Sequence, residues 1–98
     1  MTTEITKNGS VLNIAVEGRI DTVTSPDLEK TILDNISEVE DMTIDLTGVD
    51  YISSAGLRVL LSTQKIMDKQ GKLLICGVGE NVMEIFEVTG FVDIFDIE

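Results

Sequence analysis

Residues 42–61, MTIDLTGVDYISSAGLRVLL, contain the pattern that decides the fold. The alternation of apolar and polar side chains over Met42–Leu46 predicts a central strand, closed by Thr47-Gly48 and followed by an exit loop over Gly48–Ser53. A helix is expected to begin near Ser54 and to end at Gly71. Its buried stripe is predicted to consist of Leu57, Leu60, Leu61, Ile66 and Met67.

The residues before this stretch predict a hairpin and a helix. A turn-like Asn8-Gly9-Ser10 joins two strand-like runs, Thr3–Lys7 and Val11–Val16. Further on, Ser25-Pro26-Asp27 supplies an N-cap, a proline suited to the first helical turn and a carboxylate at the positive end of the helix dipole. A helix is therefore expected over Pro26–Ile36.

The residues after the stretch complete an α/β fold. Lys72–Val78 is almost wholly apolar, which predicts a strand covered on both faces. The last helix is expected over Glu80–Thr89, with Gly90 as its C-terminal stop. The order is ββαβαβα, which predicts a mixed β-sheet packed against helices, with right-handed crossovers in its parallel part.

Apolar spacing assigns further residues to the core. Buried positions are expected in the first helix, the last helix and the tail: Leu28, Ile32, Leu33, Ile36; Val82, Met83, Ile85, Phe86; Phe91, Ile94, Phe95, Ile97. Cys76 is predicted to be a buried strand residue. Asp45 alternates with apolar neighbours and would need a hydrogen-bond partner if it faced the core.

Size and charge limit the possible functions. The chain has 98 residues with 7 basic and 18 acidic side chains, a net charge of −11. So short a chain predicts one domain over residues 1–98. An acidic surface repels nucleic acid and anionic lipid and favours a partner with a cationic surface. Without a long apolar segment, a cytoplasmic location and no membrane partner are expected.

The chain contains no histidine, which removes the usual base of serine and cysteine nucleophiles and any histidine-containing zinc site. A self-contained hydrolase would therefore need an unusual base, and we expect no cofactor and no metal. A nucleophilic role for Ser54 remains only as an enzymatic alternative that lacks the usual base.

The most informative positions for function are Ser53 and Ser54, at the point where a loop becomes a helix, followed by the small residues Ala55 and Gly56. Free backbone N–H groups and the helix dipole favour negative charge there, so Ser54 could carry a phosphoryl group. Alternatively, one of the two serines only caps the helix. Asp21, between a strand and a helix, is interpreted as a carboxylate that orders its loop.

At these residues the chain resembles the STAS family, specifically the bacterial anti-sigma factor antagonists. The resemblance extends over essentially the whole chain. It rests on Gly18-Arg19-Ile20-Asp21, on Ile44–Val49 leading to Ile52-Ser53-Ser54-Ala55-Gly56-Leu57, on Gly71-Lys72-Leu73, and on the closing Phe86 and Thr89-Gly90-Phe91.

The resemblance implies a domain without catalytic activity that binds an anti-sigma factor, itself a serine kinase using ATP and magnesium, and that releases this partner once phosphorylated. Matching Gly56-Leu57 to the family motif puts the phosphorylated serine at Ser54, and it implies partner binding by Asp21. Ser53 stands where the family has an acidic residue, and Ala55 stands where it has a second serine. The predicted partner-binding surface comprises Asp21, Ser53, Ser54, Ala55, Gly56 and Arg58.

Two functions follow from this resemblance. In the first, the chain is a monomer or weak dimer that is switched off by phosphorylation of Ser54. In the second, it is a constitutive, unphosphorylated STAS subunit of a larger signalling or transport assembly. The position of Ser54 and the resemblance favour the first function, whereas the replacement of the acidic residue by Ser53 adds weight to the second.

Overall fold

A computed structural model describes residues 1–98 and confirms the ββαβαβα order, with one strand added at the end. The elements are β1 (Thr2–Asn8), β2 (Val11–Ile20), α1 (Ser25–Asn35), β3 (Asp41–Ile52), α2 (Ser54–Gln70), β4 (Lys72–Cys76), α3 (Glu80–Thr89), a 3-10 turn (Phe91–Asp93) and β5 (Asp96–Ile97). None of the helices combines the length and the hydropathy needed to cross a membrane.

The five strands form one mixed sheet in the order β1-β2-β3-β4-β5. β1 and β2 form the predicted antiparallel hairpin, with Asn8 opposite Val11, and the remaining neighbours are parallel. Parallel neighbours need crossover connections, and α1, α2 and α3 lie in these connections. The predicted mixed sheet is therefore confirmed.

The helices cover only one face of the sheet. Alternate residues of the central strands, such as Leu12, Ile44 and Ile75, are buried together with helix residues in a single core. The intervening residues Leu74 and Cys76 are only half-buried, because they point to the opposite, open face. The prediction of a strand covered on both faces is therefore wrong, and so is the prediction that Cys76 is buried.

β3 is longer than its sequence pattern indicates. The predicted exit loop over Gly48–Ser53 is wrong, because the strand continues to Ile52 beside the extended end of β2. Two register shifts, between Ala15 and Glu17 and between Gly18 and Arg19, allow this pairing to continue. It brings Val49 and Ile52 into the core, where they are 4% and 2% exposed.

The helices follow the predicted spans within one or two residues. α1 begins at Ser25 rather than Pro26, and Thr24 rather than Ser25 occupies the N-cap position, because the Ser25 amide already donates to the Asp21 carbonyl at 2.9 Å. Leu33 is 52% exposed, so its predicted burial is wrong: it lies one step around the helix from the buried Ile32.

The buried stripes of the other two helices are confirmed in part. Leu57, Leu60 and Met67 of α2 are buried, whereas Leu61 and Ile66 are half-buried. In α3, Val82 and Phe86 are completely buried, and Met83 and Ile85 are half-buried.

The C-terminal residues close the core through aromatic contacts. The Phe95 ring lies 5.7 Å from the rings of both Phe86 and Phe91. β5 then pairs with β4 through Leu74 opposite Asp96 and Ile75 opposite Ile97. The predicted packing of the tail is confirmed except at Ile94, which is 46% exposed.

Gly77 ends β4 with a φ of 68°, in the left-handed region that favours glycine. A β-carbon here would overlap the Thr47 hydroxyl and lie 2.5 Å from Asp45 Oδ1. Asp45 lies on the open face, not in the core, and accepts hydrogen bonds from the Thr47 hydroxyl at 2.6 Å and the Thr47 amide at 2.9 Å. These two hydrogen bonds hold the pKa of Asp45 below its usual value.

Three glycine variants test this packing. Gly77→Ala combines a positive φ with steric overlap and is expected to lower the free energy of unfolding by about 3 kcal/mol. Gly90→Ala has a φ of 80° but no atom within 4 Å of the added carbon, so about 1 kcal/mol is expected. Gly79→Ala, with a φ of −74°, should be nearly neutral. Denaturant unfolding measures all three, and equal losses at Gly77 and Gly90 would contradict the overlap.

Candidate functional site

The predicted site residues gather at the carboxyl ends of β2 and β3. Ile20 and Ile52 are neighbours across the parallel pair, and the Ser53 amide donates a hydrogen bond to the Ile20 carbonyl at 2.8 Å. Asp21 follows Ile20 directly, as Ser53 follows Ile52. Two loops that are far apart in sequence therefore begin side by side at one edge of the fold.

Ser53 and Ser54 have different structural roles. Ser53 is the N-cap of α2: its hydroxyl oxygen accepts a hydrogen bond from the Gly56 amide at 3.3 Å, and its carbonyl accepts one from the Leu57 amide at 2.9 Å. Ser54 is the first residue of the helix, is exposed, and its hydroxyl makes no hydrogen bond within the chain. Capping therefore uses the Ser53 hydroxyl and leaves that of Ser54 free.

Gly56 is buried and determines how closely α2 approaches the sheet. A β-carbon at this position would lie 2.6 Å from Ile20 Cγ2 and 2.7 Å from Ile52 Cγ1. The small size of Gly56 is therefore required by the core. Ala55, by contrast, is half-buried and borders a surface groove.

Asp21 orders the loop that leads into α1. Its Oδ1 accepts hydrogen bonds from the amides of Thr24 and Val23, each at 3.0 Å, and from the Thr24 hydroxyl at 3.2 Å. These bonds, led by that of the Thr24 amide, hold the pKa of Asp21 below its usual value. The interpretation of Asp21 as a loop-ordering carboxylate is confirmed by these contacts.

Arg19 and Tyr51 add a contact that sequence analysis missed. The Arg19 guanidinium lies 4.3 Å from the centre of the Tyr51 ring, and its Nε is 4.0 Å from Asp21 Oδ2. Arg19 and Tyr51 are opposite each other in the β2–β3 pair. Because they are distant in sequence, only the extended pairing of these strands could have indicated the contact.

A groove of about 340 Å³ runs between α1 and α2 beside Ser54. It is lined by both polar and apolar side chains: Thr22, Ser25, Pro26, Glu29, Ala55, Arg58, Val59 and Ser62. Arg58 is exposed and is the only cation in this lining. No group of three or more histidine, cysteine, aspartate or glutamate side chains is arranged to hold a metal ion.

The chain is similar to known proteins over nearly its whole length. The sequence profile of the STAS domain matches residues 2–98. The Bordetella bronchiseptica protein BtrV, whose name assigns it to the anti-sigma factor antagonists, is 34% identical over 93% of this chain and 80% of its own length. The anti-sigma-B factor antagonist of Bacillus subtilis is 30% identical over 96% of this chain and 87% of its own.

A solved structure shows the same similarity in three dimensions. The crystal structure of an anti-sigma factor antagonist from Mycobacterium paratuberculosis superposes with a TM-score of 0.88 at 28% identity. The match covers 98% of this chain and 83% of that one.

The acid dependence of stability tests the role of Asp21. Since its folded pKa lies below the ordinary value of 3.8, the carboxylate stabilises the fold above that pH. This stabilisation is lost as the pH falls through the folded pKa. Asp21→Asn is therefore expected to be less stable than the wild type at neutral pH, with a difference that shrinks below pH 3.8.

Denaturant midpoints measured across this pH range give the comparison. Asp50→Asn is the matched control, because Asp50 is exposed and its carboxylate accepts no hydrogen bond within the chain. A difference between the wild type and Asp21→Asn that stays constant with pH would contradict the assigned role.

Proposed function

The chain belongs to the STAS domain family, and from that premise we propose that it is an anti-sigma factor antagonist switched by phosphorylation of Ser54. Its partner is an anti-sigma factor that is also a serine kinase. Unmodified, the chain binds this partner, and the sigma factor is free. Phosphorylated, the chain is released.

One observation carries the choice of Ser54. Its hydroxyl is exposed and unbonded at the first residue of α2, whereas the Ser53 hydroxyl is occupied as the cap. A phosphate at the start of a helix is favoured by the dipole and by free N–H groups. The modification can therefore occur without unfolding α2.

The proposed binding surface surrounds this serine. Asp21, Ser53, Ser54, Ala55 and Arg58 lie at the adjoining loop, the first turns of α2 and the neighbouring groove. Gly56 contributes through the position that it allows α2 to take. The chain's net charge of −11 favours approach to a partner whose surface is largely cationic.

The transfer needs groups that this chain lacks. The Ser54 oxygen attacks the γ-phosphorus of ATP, the bond to the ADP oxygen breaks, and the hydroxyl proton passes to a base. We assign this base to the kinase, together with the ATP and magnesium sites. This chain is the substrate and contributes an accessible hydroxyl on a fixed helix end.

Phosphorylation changes charge rather than fold. It adds about −1.5 to −2 charges at neutral pH, which introduces like-charge repulsion and a desolvation cost wherever the partner presents carboxylates. The first turn of α2 is held by the Ser53 cap and by the packing of Gly56 on Ile20 and Ile52. We therefore expect its backbone to keep the same conformation after phosphorylation.

The second candidate is a constitutive STAS subunit that is never phosphorylated. The observation in its favour is Ser53, which replaces the acidic residue expected before the phosphorylated serine. Its loss removes a contact that the kinase could use to recognise its substrate. The two functions differ in one measurable property, namely transfer of phosphate to Ser54.

Comparing phosphate transfer to the wild type and to Ser54→Ala tests the proposed switch directly. With magnesium, ATP and each anti-sigma kinase from the same genome, the wild type should gain one phosphoryl group, measured by intact mass and assigned by phosphopeptide analysis. Ser54→Ala should gain none and should stay bound to the kinase, because it keeps the surface but cannot acquire the charge.

Ser53→Ala is the matched control. It removes the cap at a cost of about 1 kcal/mol of stability and should still be phosphorylated. Stable binding of the wild type without transfer would contradict the switch and support the constitutive subunit. Phosphorylation of Ser54→Ala at Ser53 would contradict the choice of residue.

A further inference from the structure

Ser54 and Arg58 lie one helical turn apart on the same face of α2. Both are exposed. Side chains at positions i and i+4 of a helix are neighbours, with β-carbons about 5–6 Å apart. Because helical side chains lean towards the N-terminus, a long side chain at position 58 can reach a group carried by residue 54.

Arg58 has no counter-ion in the unmodified chain. The two ion pairs in the molecule are Arg19–Asp21 and Lys30–Asp34. Glu29 of α1 shares the groove with Arg58, but the two side chains are not within the 4.0 Å of an ion pair. An unpaired guanidinium therefore lies one turn from the serine that we propose is phosphorylated.

The start of α2 offers two more donors. The Gly56 amide is taken by the Ser53 hydroxyl, but the amides of Ser54 and Ala55 donate to no acceptor within the chain. Backbone N–H groups and a guanidinium are both strong partners for phosphate oxygens. A phosphate on Ser54 thus has donors on the helix end and on the neighbouring turn.

We propose that Arg58 is the internal counter-ion of phosphorylated Ser54, pairing with the phosphate along the first turn of α2. The proposal rests on the proposed function, because it specifies how that same modification acts. An acidic residue one turn N-terminal to a basic residue is the favourable orientation for such a pair. Arginine suits it better than lysine, because its planar guanidinium binds two phosphate oxygens at once.

The pair gives phosphorylation a second effect on the partner. In the unmodified chain Arg58 is the cation of the groove and is available to a carboxylate of the anti-sigma factor. After modification, the phosphate on Ser54 pairs with the Arg58 guanidinium, which is then no longer available to the partner. Release then has two causes, namely repulsion by the added phosphate and loss of the Arg58 contact. Glu29 in the groove and Asp21 in the loop before α1 increase the negative charge that remains.

Phosphoserine installed at position 54 during translation gives a test that needs no kinase. Phosphorus-31 NMR titration then measures the proton affinity of the phosphate in the wild type, in Arg58→Gln and in Arg58→Lys. Arg58→Gln is expected to raise that affinity about twofold to threefold, since it removes the cation that favours the dianion. Arg58→Lys should fall between the two.

The control is Lys65→Gln, which removes an exposed positive charge from the same helix two turns further on. It should leave the phosphate titration unchanged. The Nε resonance of Arg58 should also shift when Ser54 is replaced by phosphoserine. Equal titrations of the wild type and Arg58→Gln, or an equal effect of Lys65→Gln, would overturn the proposal.

The binding consequence is measured separately with the purified kinase. The ratio of affinities for unmodified and phosphoserine forms should be smaller in Arg58→Gln than in the wild type by about threefold to tenfold. An unchanged ratio would overturn the second effect.

Failure of the kinase to modify Ser54 would contradict the proposed function. The NMR result decides the ion pair on its own, because phosphoserine is installed without the kinase.

Discussion

The parallel pairing of β2 with β3, continued to its last residues, is the constraint on which the rest of the molecule depends. Its final bond, from the Ser53 amide to the Ile20 carbonyl, fixes where α2 begins relative to the Asp21 loop. The same pairing places Ile20 and Ile52 side by side under α2, and only glycine at position 56 leaves room for the helix there. The site is thus an outcome of strand register, since no single loop could assemble it.

Periodicity and turn residues predicted the order of elements, the hairpin and most of the core, because these depend on local patterns of burial. The end of β3 escaped prediction, because Gly48 and Asp50 are typical of loops, and only the pairing of Gly48, Val49, Tyr51 and Ile52 with β2 explains why the strand continues. The predicted burial of Leu74 and Cys76 was wrong for a similar reason. An apolar run predicts burial on both faces of a strand, whereas the helices cover only one face of this sheet. The two-residue β5 is too short to produce a pattern.

For the candidate site, the sequence indicated residues that the fold brings together at the ends of β2 and β3, but not which serine hydroxyl caps α2. From the sequence alone, two adjacent serines at the start of a helix are equally suited to cap it. In the fold, one hydroxyl turns back to the Gly56 amide and the other faces solvent. The sequence also did not indicate that the small size of Gly56 is required by the core, where Ile20 and Ile52 leave no room for a β-carbon. The two serines differ because the backbone at the start of α2 directs the Ser53 hydroxyl to the Gly56 amide and leaves Ser54 exposed. The residue types alone do not determine this difference.

The order of strands also determines how the sheet meets other copies of itself. One outer edge is β5, whose two residues are too few to template another strand. The other is β1, seven residues long and exposed along nearly its whole length, with unpaired backbone groups on its outer side. Every copy carries the same net charge of −11, so like-charge repulsion opposes edge-to-edge association at β1. Protection of this kind weakens as ionic strength rises, so colloidal stability in this protein is a property of its solvent as much as of its fold.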